Sequence, residues 1–206
     1  MASKTVNKPV LALFDFDGTI TSRDSLPLFI RYTNGPVRLC ANGLRALPSL
    51  AGYYLGLLNN NRAKEKLLAA FFQGWSRREM ENAGEDFTRQ VIDKIIRPEA
   101  LARIEWHRGQ GHRVVVVSAS PEEWVRPWAE RNGLTCLATR LEYADEKFTG
   151  RFDGLNCHGD EKVCRLNGHL ESEPGNFYIY AYGDSGGDRA MLSIADEPFY
   201  KPFRHS

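Results

Sequence analysis

The sequence predicts an α/β fold in which a parallel sheet alternates with helices and one long helical segment is inserted. Apolar runs without polar alternation occur at residues 10–14, 114–117 and 177–182. Such runs are typical of strands that are covered on both faces of a parallel sheet. After residue 97 they alternate with helical patterns, whereas residues 21–97 contain helical patterns alone. We therefore expect a parallel sheet core and a separate group of helices.

The first predicted strand covers residues 9–17 and delivers two carboxylates, Asp15 and Asp17, to its carboxyl end. In open parallel sheets the ligand site lies beyond that end of the strands. The two side chains are at i and i+2, so we expect Asp15 to face the reacting centre while Asp17 enters from the turn. Gly18 lets the backbone leave the strand sharply. Alone, the pattern also suits an ordinary Asp-Gly turn.

Composition excludes several classes of protein. The chain has 206 residues and a formal net charge of +1 with both signs interspersed, so we expect no nucleic-acid partner. The four cysteines form no Cys-x-x-Cys pair, and residues 1–9 lack the apolar core of a secretory signal. These features favour reduced thiols in a cytoplasmic protein. The spacing of Cys157, His158 and Cys164 does not indicate a zinc site.

The helical segment at 21–97 is predicted to form a cap domain, and residues 1–20 and 98–206 the core domain. Residues 22–25 offer caps for a first helix, which the break at 34–36 ends. Ser76 and Glu79 have capping-box spacing at the start of a later helix. Four or so helices without a strand are typical of a lid beside the sheet.

Residues 37–58 are the most apolar part of this segment and allow two interpretations. One is a pair of core helices. The other is an interfacial face that approaches lipid, with leucines and aromatic residues beside arginines. Arg38, Arg45 and Pro48 interrupt the run, so a membrane span is not predicted.

After residue 97 the predicted elements follow one another in an α/β order. Three strands end in polar clusters, and Lys162 lies at the start of a helix between the last two of them. The elements are a helix at 99–108, a strand at 114–117 ending in 118–121, a helix at 121–131, a strand at 135–140, a hairpin at 142–154, a helix from 159, a strand at 177–182 ending in 183–188, a short helix through 191–192 and a strand at 199–200.

In one parallel sheet with right-handed crossovers these clusters meet at the same edge. Clustered carboxylates call for a hard cation such as Mg²⁺, which also binds substrate phosphate. A helix N-terminus and a lysine both suit a phosphoryl group. An aspartate can attack phosphorus, and a second carboxylate can move the proton. The set therefore predicts phosphoryl transfer, which needs mainly positioning and charge stabilisation.

The ordered set resembles the haloacid dehalogenase-like superfamily, and the helices after the first motif resemble the cap of its phosphoserine phosphatase-like branch. The four motifs are residues 15–19, Ser118, Lys162 and residues 183–188. The resemblance implies a Rossmann-like parallel sheet core with an inserted four-helix-type cap. It also implies a Mg²⁺-dependent phosphomonoesterase that acts on a small phosphorylated metabolite through an aspartyl-phosphate.

The resemblance further implies a role for each motif residue. Asp15 would be the nucleophile and Asp17 the general acid and base. The phosphate would be held by Thr19, Ser118, the Ala119 amide and Lys162, and Mg²⁺ by Asp15, the Asp17 carbonyl, Asp184 and Asp188. Dehalogenases of the superfamily lack the second aspartate, so Asp17 points to phosphoester chemistry.

Two positions depart from the phosphoserine phosphatase pattern. Gly187 stands where those enzymes usually have Asn, and Asp24 stands where they use Glu for the substrate amine. Asp24 and a cap lysine, Lys64 or Lys66, are the substrate-contact candidates, although lysines are usually solvated. The five histidines are predicted to be surface or core residues without a role in the site: His107, His112, His158, His169 and His205.

Two other functions fit parts of the pattern. A membrane-surface lipid phosphatase, similar to phosphatidylglycerophosphatase C, would use the same chemistry with residues 37–58 at the bilayer. A non-enzymatic phospho-acceptor resembling receiver domains would also gather carboxylates, a hydroxyl and a lysine. Those domains lack the partner aspartate two residues on and the helical insertion, so this class is less favoured.

Overall fold

A five-stranded parallel sheet forms the centre of the computed structural model, which describes residues 8–36, 39–44, 47, 51, 55–170 and 174–204. The strand order is β3-β2-β1-β6-β7, so the first strand is central. This confirms the predicted α/β class with a Rossmann-like parallel core. The strands are β1 (Val10–Phe14), β2 (Arg113–Pro121), β3 (Thr135–Thr139), β6 (Tyr178–Gly183) and β7 (Glu197–Tyr200), and a separate antiparallel hairpin contains β4 (Leu141–Ala144) and β5 (Lys147–Phe152).

Helices cover both faces of the sheet because alternate side chains of each strand point to opposite sides. Leu11 and Leu13 belong to one buried cluster, while Ala12 and Phe14 belong to the other. The helices that are described without a gap are α1 (Ser25–Thr33), α2 (Asn60–Phe72), α3 (Arg77–Phe87), α4 (Pro98–Gly109), α5 (Glu122–Arg131), α6 (Asp160–His169) and α7 (Arg189–Ser193). A π-helical turn, Thr88–Ile92, and Asp93–Ile95 continue α3.

The predicted helix caps are present. The Asp24 side chain accepts a hydrogen bond from the Leu26 amide, and Ser76 and Glu79 form a capping box.

The helices of the insertion share a core with the sheet. Phe29 of α1 contacts both Phe72 and Phe87, and it stacks on Trp124 of α5 with ring centroids 4.3 Å apart. The insertion enters and leaves at one place, where Ser22 donates its amide to the Ile95 carbonyl at 2.7 Å. The division into a cap at 21–97 and a core stays a prediction.

Between α1 and α2 the described residues include 39–44, 47 and 51, which are helical. The other residues of 37–54 lie outside the described part of the chain. Leu44, Leu47, Leu55 and Leu57 are exposed by 68%, 54%, 73% and 77%. These four side chains are not core residues, so the interpretation of 37–58 as a pair of core helices is wrong for them. In the described residues, no helix has the length and apolar character needed to cross a bilayer.

Candidate active site

A buried lysine joins two of the predicted acidic motifs. Lys162, in the first turn of α6, places Nζ 2.6 Å from Asp15 Oδ1 and 2.6 Å from Asp188 Oδ1. Burial alone would lower the pKa of Lys162, but Asp15 and Asp188 together outweigh it and raise that pKa. Burial raises the pKa of Asp15, which Lys162 opposes and Asp188 supports. The site therefore keeps a permanent positive charge against the predicted nucleophile.

The other oxygens of these two carboxylates are also held. The Thr19 hydroxyl donates to Asp15 Oδ2 at 3.1 Å. Asp188 Oδ2 accepts from the amides of Asp184 and Ser185 and from the Ser185 hydroxyl. Thr19 is buried against Asp15 and does not line the cavity, and its predicted phosphate contact stays a prediction.

Three carboxylates form a group that could hold a metal ion. One oxygen from each of Asp15, Asp184 and Asp188 lies within 4.8 Å of the others. Gly18 makes room for this group: with φ +78°, it lies so close to Asp184 that an added Cβ would be 2.3 Å from Oδ2. Arg204 pairs with Asp184. The Asp17 side chain is not part of the group, and the prediction for that residue concerned its carbonyl oxygen.

Asp17 is fixed by a chain of hydrogen bonds that the motifs did not predict. Its Oδ1 accepts from the Ser25 amide at 2.8 Å, and its Oδ2 accepts from the Ser120 hydroxyl. The Ser25 and Ser120 hydroxyls are 3.1 Å apart, and Trp124 Nε1 donates to Ser25 Oγ at 2.9 Å. Burial, followed by the charge of Asp24, raises the pKa of Asp17 to about 6. This carboxyl can exchange a proton near neutral pH.

A cavity of about 600 Å³ opens over these residues. Asp15, Asp17, Lys162, Asp184 and Asp188 all line it. The cavity therefore brings together the first, third and fourth predicted motifs. From the helical insertion, α2 contributes further lining residues: Asn60, Ala63, Lys64 and Leu67.

The second motif contributes mainly backbone. Ser118 is buried, and its hydroxyl accepts from the Ser120 amide at 3.0 Å, so the hydroxyl is not in the cavity wall. Ala119 does line the cavity, and its carbonyl accepts from Lys64 Nζ at 2.8 Å. The predicted helix after this motif begins at Glu122, because β2 extends through Pro121 with a register shift after Ser118. The phosphate contacts of Ser118 and the Ala119 amide stay predictions.

The structure separates the two candidate lysines. Lys64 lines the cavity, where burial lowers its pKa against the opposing charges of Asp17 and Asp24. Lys66 points instead to another hollow, between α2 and β5, which Arg151 also lines. Of the two, only Lys64 lies in the cavity, since residues two positions apart on a helix do not share a face. Asp24 also lines the cavity, and its predicted contact with the substrate stays a prediction.

One histidine lines the cavity. His158 is exposed, as expected of a surface residue, and its ring also forms part of the cavity wall, a position that the sequence did not predict. Its ring lies against Gly187, where an added Cβ would be 2.5 Å from Nε2. Burial, then Lys162 and Lys64, lower the pKa of His158. The only sign of this in the sequence is Gly187 itself, which stands where phosphoserine phosphatases usually have Asn. The missing side chain leaves space for the ring of His158.

The chain also matches a protein family. Residues 12–193 match the family model described as haloacid dehalogenase-like hydrolase. The chain belongs to this family. In this haloacid dehalogenase-like hydrolase the ends of β1, β2 and β6 and the first turn of α6 all contribute residues to one cavity.

Relatives of this haloacid dehalogenase-like hydrolase cover most of its length. It is 37% identical over 208 residues to Protein CicA of Caulobacter vibrioides, covering 99% of this chain and 91% of the relative. It is 30% identical over 190 residues to a "Probable phosphatase" of Mycobacterium tuberculosis, covering 88% and 64%. A crystal structure from Bordetella pertussis Tohama I, of unknown function, superposes with a TM-score of 0.77 at 29% identity, covering 91% and 87%. Family and relatives identify the enzyme as a phosphatase.

Proposed function

We propose that the enzyme is a Mg²⁺-dependent phosphomonoesterase that hydrolyses a small phosphorylated metabolite through an aspartyl-phosphate on Asp15. The observation that carries this proposal is the position of Asp15, at the end of the central strand and in the cavity wall, with Lys162 Nζ 2.6 Å from its Oδ1. Lys162 would compensate the charge of a phosphoryl group bound beside the carboxylate. The helices between 21 and 97 would act as the cap, with Lys64 reaching into the cavity.

The proposed reaction has two steps. In the first, an Asp15 oxygen forms a bond to phosphorus while the ester P–O bond breaks, and Asp17 gives its proton to the leaving alkoxide. In the second, Asp17 takes a proton from water, the water oxygen bonds to phosphorus, and the Asp15–phosphorus bond breaks to release inorganic phosphate. The pKa of about 6 supports both roles of Asp17. Ser25 and Ser120 hold its carboxyl in place.

The acidic group fits a magnesium ion. Its donors are carboxylate oxygens, which are the ligands that Mg²⁺ prefers, and they lie close enough together to share one ion. Asp15 and Asp184 would be ligands together with the Asp17 carbonyl. Asp188 would mainly support them, because its oxygens are occupied by Lys162, Ser185 and the Asp184 amide. When bound, the ion would supply positive charge against the phosphoryl oxygens.

The test is Asp15→Asn, with the exposed Asp86→Asn as the matched control. We would measure Mg²⁺-dependent phosphate release from phenyl phosphate, phosphoserine, phosphocholine, sugar phosphates, nucleotides and phosphatidylglycerophosphate. We expect D15N to lose at least about a thousandfold in rate, as for other nucleophile variants, and D86N to match the wild type. Mass spectrometry of acid-quenched wild type should show a phosphoryl group on Asp15.

Two results would contradict the proposal. One is an unchanged rate for D15N. The other is phosphorylation of Asp15 without turnover of any substrate, which would favour the non-enzymatic phospho-acceptor.

A lipid phosphomonoester is the second candidate substrate, and one observation favours it. Leu44, Leu47, Leu55 and Leu57 are exposed within the insertion that also carries Lys64. Exposed leucines of this kind can bury themselves in a lipid interface. Sedimentation with anionic liposomes tests this, and protein that stays in the supernatant would exclude it.

All four cysteines are free thiols, which supports the proposed cytoplasmic location.

A further inference from the structure

The segment that follows β7 lies against the end of β6 and is anchored at two residues. The Lys201 amide donates to the Gly183 carbonyl at 2.8 Å. Phe203 is buried, and its ring stacks on that of Tyr182 with centroids 5.6 Å apart. Arg97 Nη1 donates to the Phe203 carbonyl at 3.0 Å. These contacts hold the backbone that directly precedes residue 204 against the core.

The anchored segment contributes one side chain to the active-site cavity, that of Arg204. Arg204 lines the cavity, and its guanidinium pairs with Asp184 Oδ2. Among the described residues, no donor reaches the other carboxylate oxygen of Asp184, Oδ1. The guanidinium therefore holds one oxygen of this carboxylate and leaves the other available for a ligand.

Asp184 is the member of the acidic group whose side chain has the fewest other contacts. The carboxylate of Asp15 accepts from Lys162 and Thr19, and that of Asp188 accepts from several donors. In the described part of the chain, the carboxylate of Asp184 accepts from Arg204 alone. The orientation of Asp184 therefore depends on a residue that lies outside the four motifs.

We propose that Arg204 is a positioning residue that holds Asp184 in the orientation needed to bind Mg²⁺. The inference rests on the Mg²⁺-dependent function proposed above. Carboxylates that bind a metal are usually held by a further hydrogen bond, and loss of that partner typically lowers metal affinity by about 10–100-fold. Arginine suits this task because its planar fork fixes the direction of a carboxylate, which the point charge of a lysine does not.

The sign of the effect on metal binding separates positioning from a simple charge effect. Arg204 carries a positive charge beside the proposed ion, so removal of that charge alone would reduce repulsion and tighten binding. Tighter binding would also result if the guanidinium only occupied the place of the ion. Positioning has the opposite consequence: the variant R204A should bind the ion more weakly.

The test measures metal binding to the full-length protein without substrate. Mn²⁺, which takes the same oxygen ligands, is titrated while the electron paramagnetic resonance signal of the free ion is recorded, and Mg²⁺ is then added as a competitor. We expect R204A to weaken the binding of both ions by about tenfold. R204K should recover part of the affinity, because it restores a donor without the fork.

R108A is the matched control for the loss of one exposed arginine. The Arg108 side chain is 45% exposed against 42% for Arg204, and it pairs with Glu105, which does not line the cavity. R108A should bind Mn²⁺ as the wild type does. Urea unfolding with a chelator present should give R204A and R108A the same midpoint, since exposed ion pairs add little stability.

Phosphate release from phenyl phosphate gives a second measurement. R204A should need about tenfold more Mg²⁺ for its half-maximal rate, and saturating Mg²⁺ should restore most of the rate.

Three outcomes would count against the inference. Equal or tighter Mn²⁺ binding by R204A would overturn it and leave the proposed phosphomonoesterase standing. A lower urea midpoint for R204A than for R108A would also overturn it, because the weaker binding would then follow from lost stability. If the wild type binds neither ion, the proposed Mg²⁺ dependence and the inference resting on it both fail.

Discussion

Lys162 Nζ lies 2.6 Å from Asp15 Oδ1, and both side chains are almost fully buried. Replacing this lysine by Met leaves the carboxylates of Asp15 and Asp188 without their shared cation. Removing one partner of a buried ion pair costs about 3–5 kcal/mol. We therefore expect K162M to lower the free energy of unfolding by that amount in urea denaturation with a chelator present, and to lose phosphatase activity. The exposed Lys94→Met is the control, and equal stability of the two variants would refute the prediction.

Gly18 tests the link between the first and fourth motifs. G18A places a Cβ 2.3 Å from Asp184 Oδ2, so Asp184 has to move. G111A is the matched control, because Gly111 has a similar φ of +72° but nothing within 4 Å. Both variants should lose about 1 kcal/mol of stability from backbone strain. Only G18A should also lose phosphate release, by at least about 100-fold. A similar activity for both variants would show that Asp184 tolerates displacement.

Lys64 and Lys66 lie two residues apart on α2, but only Lys64 lines the cavity. We expect K64A to weaken competitive inhibition by inorganic phosphate by about tenfold, because one ammonium facing the anion is lost. K66A should change the inhibition constant by less than about twofold, since an exposed charge outside the site is screened. The measurement does not require the natural substrate. Equal effects at both positions would mean that Lys64 attracts phosphate only through long-range electrostatics and does not contact it.

We expect the free energy of unfolding to depend on pH through Glu123, which lies outside the active site. It is buried at the contact between α5 and α3, where Tyr143 donates to its Oε1 at 2.9 Å and its Oε2 has no hydrogen-bond partner among the described residues. Burial raises the pKa of Glu123 to about 7 from an ordinary 4.5. The folded state therefore favours the protonated carboxyl. The stability that the protein has below pH 4.5 is lost as the pH rises through 7, because the buried group must then ionise.

The variant E123Q removes this titration. Thermal unfolding between pH 4 and pH 8 should show the wild type losing stability relative to E123Q as the pH rises, by up to about 3 kcal/mol. E130Q, on the exposed side of the same helix, should follow the wild type throughout. A constant difference between E123Q and wild type across this range would show that Glu123 does not change its charge there.

The sequence was sufficient to predict the sheet and the parts of the site that are local in the chain. Val114 to Val117 could only be a buried strand, and residues 15–19 follow theirs directly. The ends of β1, β2 and β6 meet because parallel strands share an edge, so the proximity of Asp15 and Asp184 followed from topology.

The features of the site that could not be predicted from the sequence depend on contacts between distant segments of the chain. The hydrogen bond from Trp124 to Ser25 links residues 99 positions apart, and no spacing rule covers it. The position of His158 in the cavity wall was not predicted because it is defined by Gly187, whose missing side chain is a signal only when both are seen together. Lys64 and Lys66 are equally plausible in sequence, since the orientation of α2 over the sheet decides between them.

The chain passes from β1 into the insertion and back to α4 through two segments that are joined side by side, with Thr21 paired to Ile96 and Arg97 donating its amide to the Ile20 carbonyl at 2.8 Å. A junction closed in this way fixes the separation of its ends whatever lies between them, so lengthening or exchanging the intervening chain adds little loop-closure entropy. The strands of the sheet would keep their arrangement during such an exchange. A different insertion can therefore be grafted at this junction onto an unaltered scaffold.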